Sequence, residues 1–195
     1  MKNLYRRLFG RLYWVQYSKE LSYKGEWKNG SFHGEGHLKY ANGNTFTGSF
    51  KSGTKNGFGH YKTSNGFEYI GDWLNGYQTG FGAICYKNGD LYEGDVQNGL
   101  RNGEGRFFQA SDCVWYKGAW IQGILYGHVE ISCSEWIFEG QLPEKDVISL
   151  GKLIYPDGSK YEGQILNFKR HGKGTLTAAS GEQTCGVWKD QLHVT

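Results

Sequence analysis

The chain has 195 residues, with 22 Lys and Arg against 19 Asp and Glu, 31 Gly and only 2 Pro. That length suits one domain or one uninterrupted repeat array. A formal charge of +3 is too small for a nucleic-acid footprint, and no apolar run approaches the roughly 18 residues of a membrane-crossing helix, so the chain reads as soluble or at most peripheral.

Residues 1–12 form a basic N-terminal segment. Lys2, Arg6, Arg7 and Arg11 are followed by Lys19, and Glu20 is the only acid of the first twenty residues. Leu4, Leu8 and Leu12 recur every four residues, a spacing that permits a short amphipathic helix over 2–12. Such a helix could touch anionic lipid or an acidic partner such as tubulin, or it could cap the first strand edge. The segment lacks the apolar core and cleavage site of a secretory signal. Cys85, Cys113, Cys133 and Cys185 contain no Cys-x-x-Cys pair, so they read as reduced thiols of a cytoplasmic protein. Asn29-Gly30-Ser31 fits a glycosylation acceptor, but it is discounted without a secretory signal.

From residue 23 onward a Tyr-x-Gly-x-Trp pattern recurs, anchored at Tyr23, Phe46, Tyr69, Tyr92, Tyr116, Phe138, Tyr161 and Thr184. The spacing stays within one residue of 23, and the extra residue near Asp112-Cys113 is recovered in the following unit. The units are 23–45, 46–68, 69–91, 92–115, 116–137, 138–160 and 161–183, flanked by half-units at 13–22 and 184–191. Six complete units with a half-unit at each end predict about fourteen strands, roughly 65 Å of sheet at about 4.8 Å per strand.

Each unit contains two stretches of period-two alternation, the signature of a hairpin. Tyr23, Gly25 and Trp27 share one face while Lys24, Glu26 and Lys28 take the other. Asn-Gly or Asp-Gly pairs at 29–30, 42–43, 65–66, 75–76, 88–89, 98–99 and 157–158 mark the turns. The Trp position is Phe50, Val96, Leu142 and Ile165 in other units, so ring size varies along the array. In the sixth unit Lys145 and Ser149 replace glycines and predict a bulging loop around Pro143 to Asp146. Val129 replaces the second glycine of a pair in the fifth, which predicts a different backbone approach there.

No Gly-x-Ser-x-Gly elbow, phosphate-cradling loop or His-Glu-x-x-His helix is present. His33 and His171 fall in one repeat slot before a glycine, which favours a turn role over catalysis or metal binding. Glu26, Asp72 and Asp95 share another slot and read as a solvated face. The feature with functional potential is the aromatic face. Its candidate partner-binding groove comprises Tyr23, Trp27, Tyr40, Phe46, Phe50, Tyr69, Trp73, Tyr86, Tyr92, Tyr116, Trp120 and Phe138. These rings either serve wholly as core or leave apolar area for a partner helix or extended peptide. Lys169, Arg170 and Lys173 add a second basic cluster, which with Lys2, Arg6, Arg7 and Arg11 could contact lipid or an acidic partner.

The repeated Tyr-x-Gly-x-Trp and Gly-x-Gly pattern resembles the MORN (membrane occupation and recognition nexus) repeat from position 23 to about 190. The resemblance implies an all-β fold, an elongated single-layer antiparallel meander of hairpins, acting as a scaffold with no enzymatic activity and no cofactor or metal. Short stand-alone members resembling this chain imply protein partners within cytoskeletal assemblies, such as the radial spokes of a ciliary or flagellar axoneme. The alternative it carries is a peripheral membrane adaptor holding anionic phosphoinositides. Exposed edge strands also permit homo-oligomers.

Overall fold

The computed structural model describes residues 15–18, 21–143 and 145–194. The helix predicted over 2–12 lies outside them, as do Lys2, Arg6, Arg7 and Arg11. All regular elements among the described residues are strands, so no described helix is available to cross a membrane.

The chain divides into two compact units, residues 1–101 and 102–195. The first contains β1 (Val15–Ser18), β2 (Leu21–Lys28), β3 (Ser31–Tyr40), β4 (Thr45–Lys51), β5 (Thr54–Lys62), β6 (Glu68–Leu74), β7 (Tyr77–Cys85) and β8 (Leu91–Gln97). At the boundary begins β9 (Leu100–Gln109), followed by β10 (Val114–Ile121), β11 (Ile124–Ser132), β12 (Ile137–Gln141), β13 (Ser149–Ile154), β14 (Lys160–Leu166), β15 (Lys169–Thr177), β16 (Gln183–Lys189) and β17 (Leu192–Val194). Within the first unit β1 to β8 pair antiparallel in sequence order. Within the second β9 to β17 do the same. Each unit is thus a single-layer antiparallel meander. The described residues hold seventeen strands, more than the fourteen expected. The unit boundaries enclose seven full units, two strands each in β2 to β15, rather than six; β1 and β16 are the two half-units, and β17 is additional.

Two kinds of turn alternate, and the residues explain both. Asn29-Gly30 and Asn75-Gly76 are two-residue turns with positive φ at both positions, the mirror-image geometry that matches strand twist and that Asn and Gly tolerate. Gly43, Gly89 and Gly158 instead close wider loops, in which the residue before the loop exchanges backbone hydrogen bonds across it. Tyr40 N donates to Asn44 O at 2.9 Å and Gly43 N donates to Tyr40 O at 3.0 Å. The same pair of bonds recurs at Tyr86 and Tyr155. Between β12 and β13 the connection runs over 142–148, the bulging loop that Lys145 and Ser149 predict, with Leu142 N donating to Gly127 O at 2.8 Å.

A bulge interrupts five of the hairpins. In β2–β3 the register jumps between Gly25 and Glu26, so Gly34 and Glu35 are extra. The same jump follows Gly48, Gly71, Gly118 and Gly163.

The core lies on the glycine-lined face. Opposite glycines in neighbouring strands leave a shallow floor, and the anchor ring of each unit lies on it. A Cβ on Gly82 would stand 2.5 Å from Tyr69 Cε2, closer than side-chain carbons approach. Tyr23, Phe46, Tyr69, Phe138 and Tyr161 are consequently fully buried.

Candidate interaction face

The anchor tyrosines are fixed at both ends. Tyr69 Oη lies 2.9 Å from Asp72 O and 3.1 Å from Thr79 O, so its hydroxyl donates into the bulge. Tyr23 does this toward Glu26 O and His33 O, and Tyr161 toward Gln164 O and His171 O. His33 and His171 therefore serve the turn through their carbonyls, which is why Thr79 fills the same slot. Burial pushes the hydroxyls of Tyr23 and Tyr69 up to about 12. Tyr116 differs because Val129 occupies the place of the second glycine: Val129 is buried, and the Tyr116 hydroxyl donates to Gln109 Oε1 at 3.2 Å instead.

The slot of Glu26 and Asp72 does more than face solvent. Glu26 Oε1 accepts from Glu35 N and Asp72 Oδ2 from Phe81 N, each at 3.3 Å, while Gln164 Oε1 accepts from Lys173 N at 2.8 Å. Each side chain thus satisfies an N–H that the bulge has taken out of the ladder. Asp95 occupies the corresponding place in the fourth unit, where Tyr92 donates to its carbonyl at 2.8 Å.

Of the predicted groove residues, Tyr23, Phe46, Phe50, Tyr69, Trp73, Tyr92, Trp120 and Phe138 expose 5% or less of their surface and are core. The indoles of Trp73 and Trp120 also donate to the carbonyls of Gly59 and Gly105, at 3.2 and 3.1 Å. Trp27, Tyr40, Tyr86 and Tyr116 are half-buried and keep surface to offer, as does Tyr61. In the first unit Tyr40 and Tyr61 stand edge-to-face at 6.4 Å, Tyr61 reaches Trp73 at 6.1 Å, and Phe67 and Tyr86 are paired at 6.1 Å.

Lys55 sits among these rings. Its Nζ is 4.5 Å from the ring centroids of both Tyr61 and Trp73, 5.1 Å from Phe46 and 5.5 Å from Tyr40. The ring faces favour the cation, but burial costs more, and the ammonium is pulled down to about 8. Sequence reading missed this residue. Its signal is positional: one period on either side stand Phe32, stacked on Tyr23 at 4.0 Å, and Gln78. Arg101 and Arg170 occupy the slot further along, with Arg101 6.0 Å from the Tyr92 ring and Arg170 4.6 Å from that of Trp188. The backbone of this slot is used too. Phe32 O accepts from Gly53 N and Lys55 O from Gly76 N, both at 2.9 Å, which ties each turn to the preceding one.

The second basic cluster is divided. Arg170 turns inward, its Nε donating to Gln191 Oε1 at 3.0 Å, whereas Lys169 and Lys173 are exposed. Among the described residues no group of three or more His, Cys, Asp or Glu is placed to hold a metal ion.

The MORN repeat model matches residues 23–45, 46–67, 69–91, 92–114 and 161–183, more than half of the sequence. The chain belongs to the MORN repeat family. The unmatched stretch contains Val129 in place of a glycine and the long 142–148 connection, the two departures from the motif already described. No curated protein sequence matches the chain. Among solved structures, a point mutant of the TCP10 domain of CPAP from Danio rerio is similar at 13% identity and a TM-score of 0.47, over 90% of this MORN chain and 87% of that one. The TCP domain of SAS-4 from Drosophila melanogaster, solved in complex with a proline-rich motif of Ana2, is similar at 13% identity and a TM-score of 0.34, over 80% and 84%. Likeness at this level assigns neither partner nor location to the MORN chain.

Proposed function

We propose that this protein is a non-enzymatic structural adaptor whose ring-bearing face holds a protein partner within a cytoskeletal assembly, in the setting of a ciliary or flagellar axoneme such as a radial spoke. The observation that carries the reading is the half-buried cluster of Tyr40 and Tyr61 around Lys55 in the first unit. Rings with one edge still wet give contact area at little cost in side-chain entropy, and the buried rings beneath hold them in place. The cytoskeletal setting rests on the family resemblance. The alternative, a membrane adaptor contacting anionic phosphoinositides, loses Arg170 to the rings and keeps Lys169 and Lys173 with the N-terminal cations. At about 1 kcal/mol per basic residue near an anionic surface, that set anchors weakly.

Tyr40→Ala with Tyr61→Ala tests the reading, because both rings are partly exposed and neither anchors a unit. In detergent-extracted cells carrying the tagged chain, the wild type is expected in the insoluble cytoskeleton and the double variant in the soluble fraction. A triple Arg6→Glu, Arg7→Glu, Arg11→Glu variant is expected to stay insoluble. The reverse pattern, with the ring variant retained and the charge variant released, overturns the ring-face reading in favour of the basic segment.

A further inference from the structure

One slot recurs opposite the large apolar residue of successive hairpins: Phe32 faces Trp27, Lys55 faces Phe50 and Gln78 faces Trp73. It accommodates a ring, an ammonium and a neutral amide on one backbone geometry, and the ammonium is the costly member. Tyr40 on β3, Phe46 on β4, Tyr61 on β5 and Trp73 on β6 present their rings to Lys55 Nζ, with centroids 4.5 to 5.5 Å away. Among the described residues no carboxylate forms an ion pair with it. The titratable groups facing it are the phenols of Tyr40 and Tyr61, and burial pushes that of Tyr40 up to about 12. Desolvation therefore acts on the Lys55 amine without a compensating charge and pulls it down to about 8. Desolvation is one of the ways in which a lysine becomes a nucleophile. At pH 8 about half of this amine carries a free lone pair, against roughly 0.4% of a lysine in water.

We propose that Lys55, held among these four rings, is a site of covalent acylation that takes a short, uncharged acyl group from an acyl thioester. The neutral Nζ attacks the thioester carbonyl carbon, a C–N bond forms and the C–S bond breaks. Sulfur leaves with the bonding pair and takes up the proton that nitrogen gives up, so the products are an amide and a thiol and nothing is oxidised or reduced. The ring cluster favours the amide over the ammonium, because the amide sheds the cost of a desolvated charge. Tyr40 and Tyr61 are only half-buried, which leaves the polar atoms of the amide a route to water. Gln78, one period on, already holds a side-chain amide in the same slot. An acyl group ending in a carboxylate is disfavoured, since the ring faces are electron-rich and repel an anion. Arg101 and Arg170, the other cations of this slot, cannot react in this way, because a guanidinium stays protonated. Acylation thus switches the Tyr40–Tyr61 cluster from cationic to neutral at one position of the array.

The test incubates the folded full-length chain at pH 8 with S-acetyl-N-acetylcysteamine, a small acetyl thioester, and follows the acetylation of each lysine by peptide mass spectrometry. Lys55 is expected to react at least tenfold faster than the exposed Lys28, Lys51 and Lys87. That advantage is expected to shrink at least fivefold at pH 10, where amines in water gain free lone pairs of their own. Unfolding in urea should bring Lys55 to the rate of the other three, and Tyr61→Ala, which opens one side of the cluster, should cut the advantage at least threefold. A rate at Lys55 no higher than at the exposed lysines, an advantage of equal size at pH 8 and pH 10, or an advantage that survives urea overturns the inference. Should the Tyr61→Ala chain fail to fold, the urea comparison on the wild type decides the matter without it. No partner takes part in the assay, so its failure leaves the adaptor reading untouched, and failure of that reading leaves this site untouched.

Discussion

Tyr69 lies against Gly82 so closely that the glycine has no room for a side chain: an added Cβ would sit 2.5 Å from Tyr69 Cε2. The φ of Gly82 is not positive, so the restriction comes from packing alone. Gly82→Ala is expected to destabilise the protein by about 1–3 kcal/mol, the usual cost of overpacking. Combining it with Tyr69→Leu should recover part of that loss. Denaturant melts of the two variants and the double check the coupling; full additivity would mean that the ring is not the obstacle.

The hydroxyl of Tyr69 reaches two bulge carbonyls, while that of Tyr116 reaches only the Gln109 side chain. Tyr69→Phe is therefore expected to cost about 1 kcal/mol. Tyr116→Phe should change stability by less than about 0.5 kcal/mol, since Gln109 can turn to water. Equal losses in thermal melts would contradict the separate roles.

Lys55 makes stability depend on pH in a defined window. Its folded ammonium titrates at about 8 rather than 10.5, so between those values the unfolded chain holds more protons and stability rises with pH. Below pH 8 the full cost of the buried charge is present; above about pH 10.5 it is gone. Lys55→Met is expected to be more stable than the wild type at pH 7, with a gap that narrows toward pH 10. Tyr23, Tyr40 and Tyr69, raised to about 12 by burial, act in the opposite sense at higher pH but are common to both proteins. A gap in melting temperature that stays constant from pH 7 to 10 would refute the assignment.

Phe168 occupies a turn position where other units have glycine, and its φ is 58°. Its ring stacks on Trp136 at 4.8 Å and meets Phe138 edge-on at 5.5 Å. Phe168→Ala loses the ring and keeps the backbone strain; Phe168→Gly loses the ring and relieves the strain. The glycine variant should therefore be the more stable of the two by about 1 kcal/mol, as measured by denaturant melts, and an alanine variant of equal stability would show the strain to be absent.

The sequence made the meander legible because its signals are local. Asn29-Gly30 and the paired glycines of each unit announce their conformation without reference to distant residues, and Val129 and Lys145 flag where the pattern breaks. Burial was harder to read. Tyr23 and Tyr40 both belong to the same alternating face, yet one is sealed over glycines and the other half-exposed, because exposure depends on what the neighbouring strands bring. Lys55 escaped notice since its slot holds Phe32, Gln78 and Arg101, residues with a shared position and no shared chemistry. Asp72 looked like a solvated charge because the bulge whose N–H it accepts appears only in the three-dimensional register.

Within each unit the backbone ladders join each described strand to its neighbours in sequence. Among the described residues of each unit the strands in extensive contact are neighbours in sequence, so little loop entropy is lost before pairing is rewarded, and hairpins can form early and extend one at a time. The same economy bears on inheritance: duplicating or deleting one 23-residue period returns every following strand to an equivalent neighbour, so such a protein can change length by whole repeats while its turns, bulges and ring contacts are rebuilt from the copy beside them.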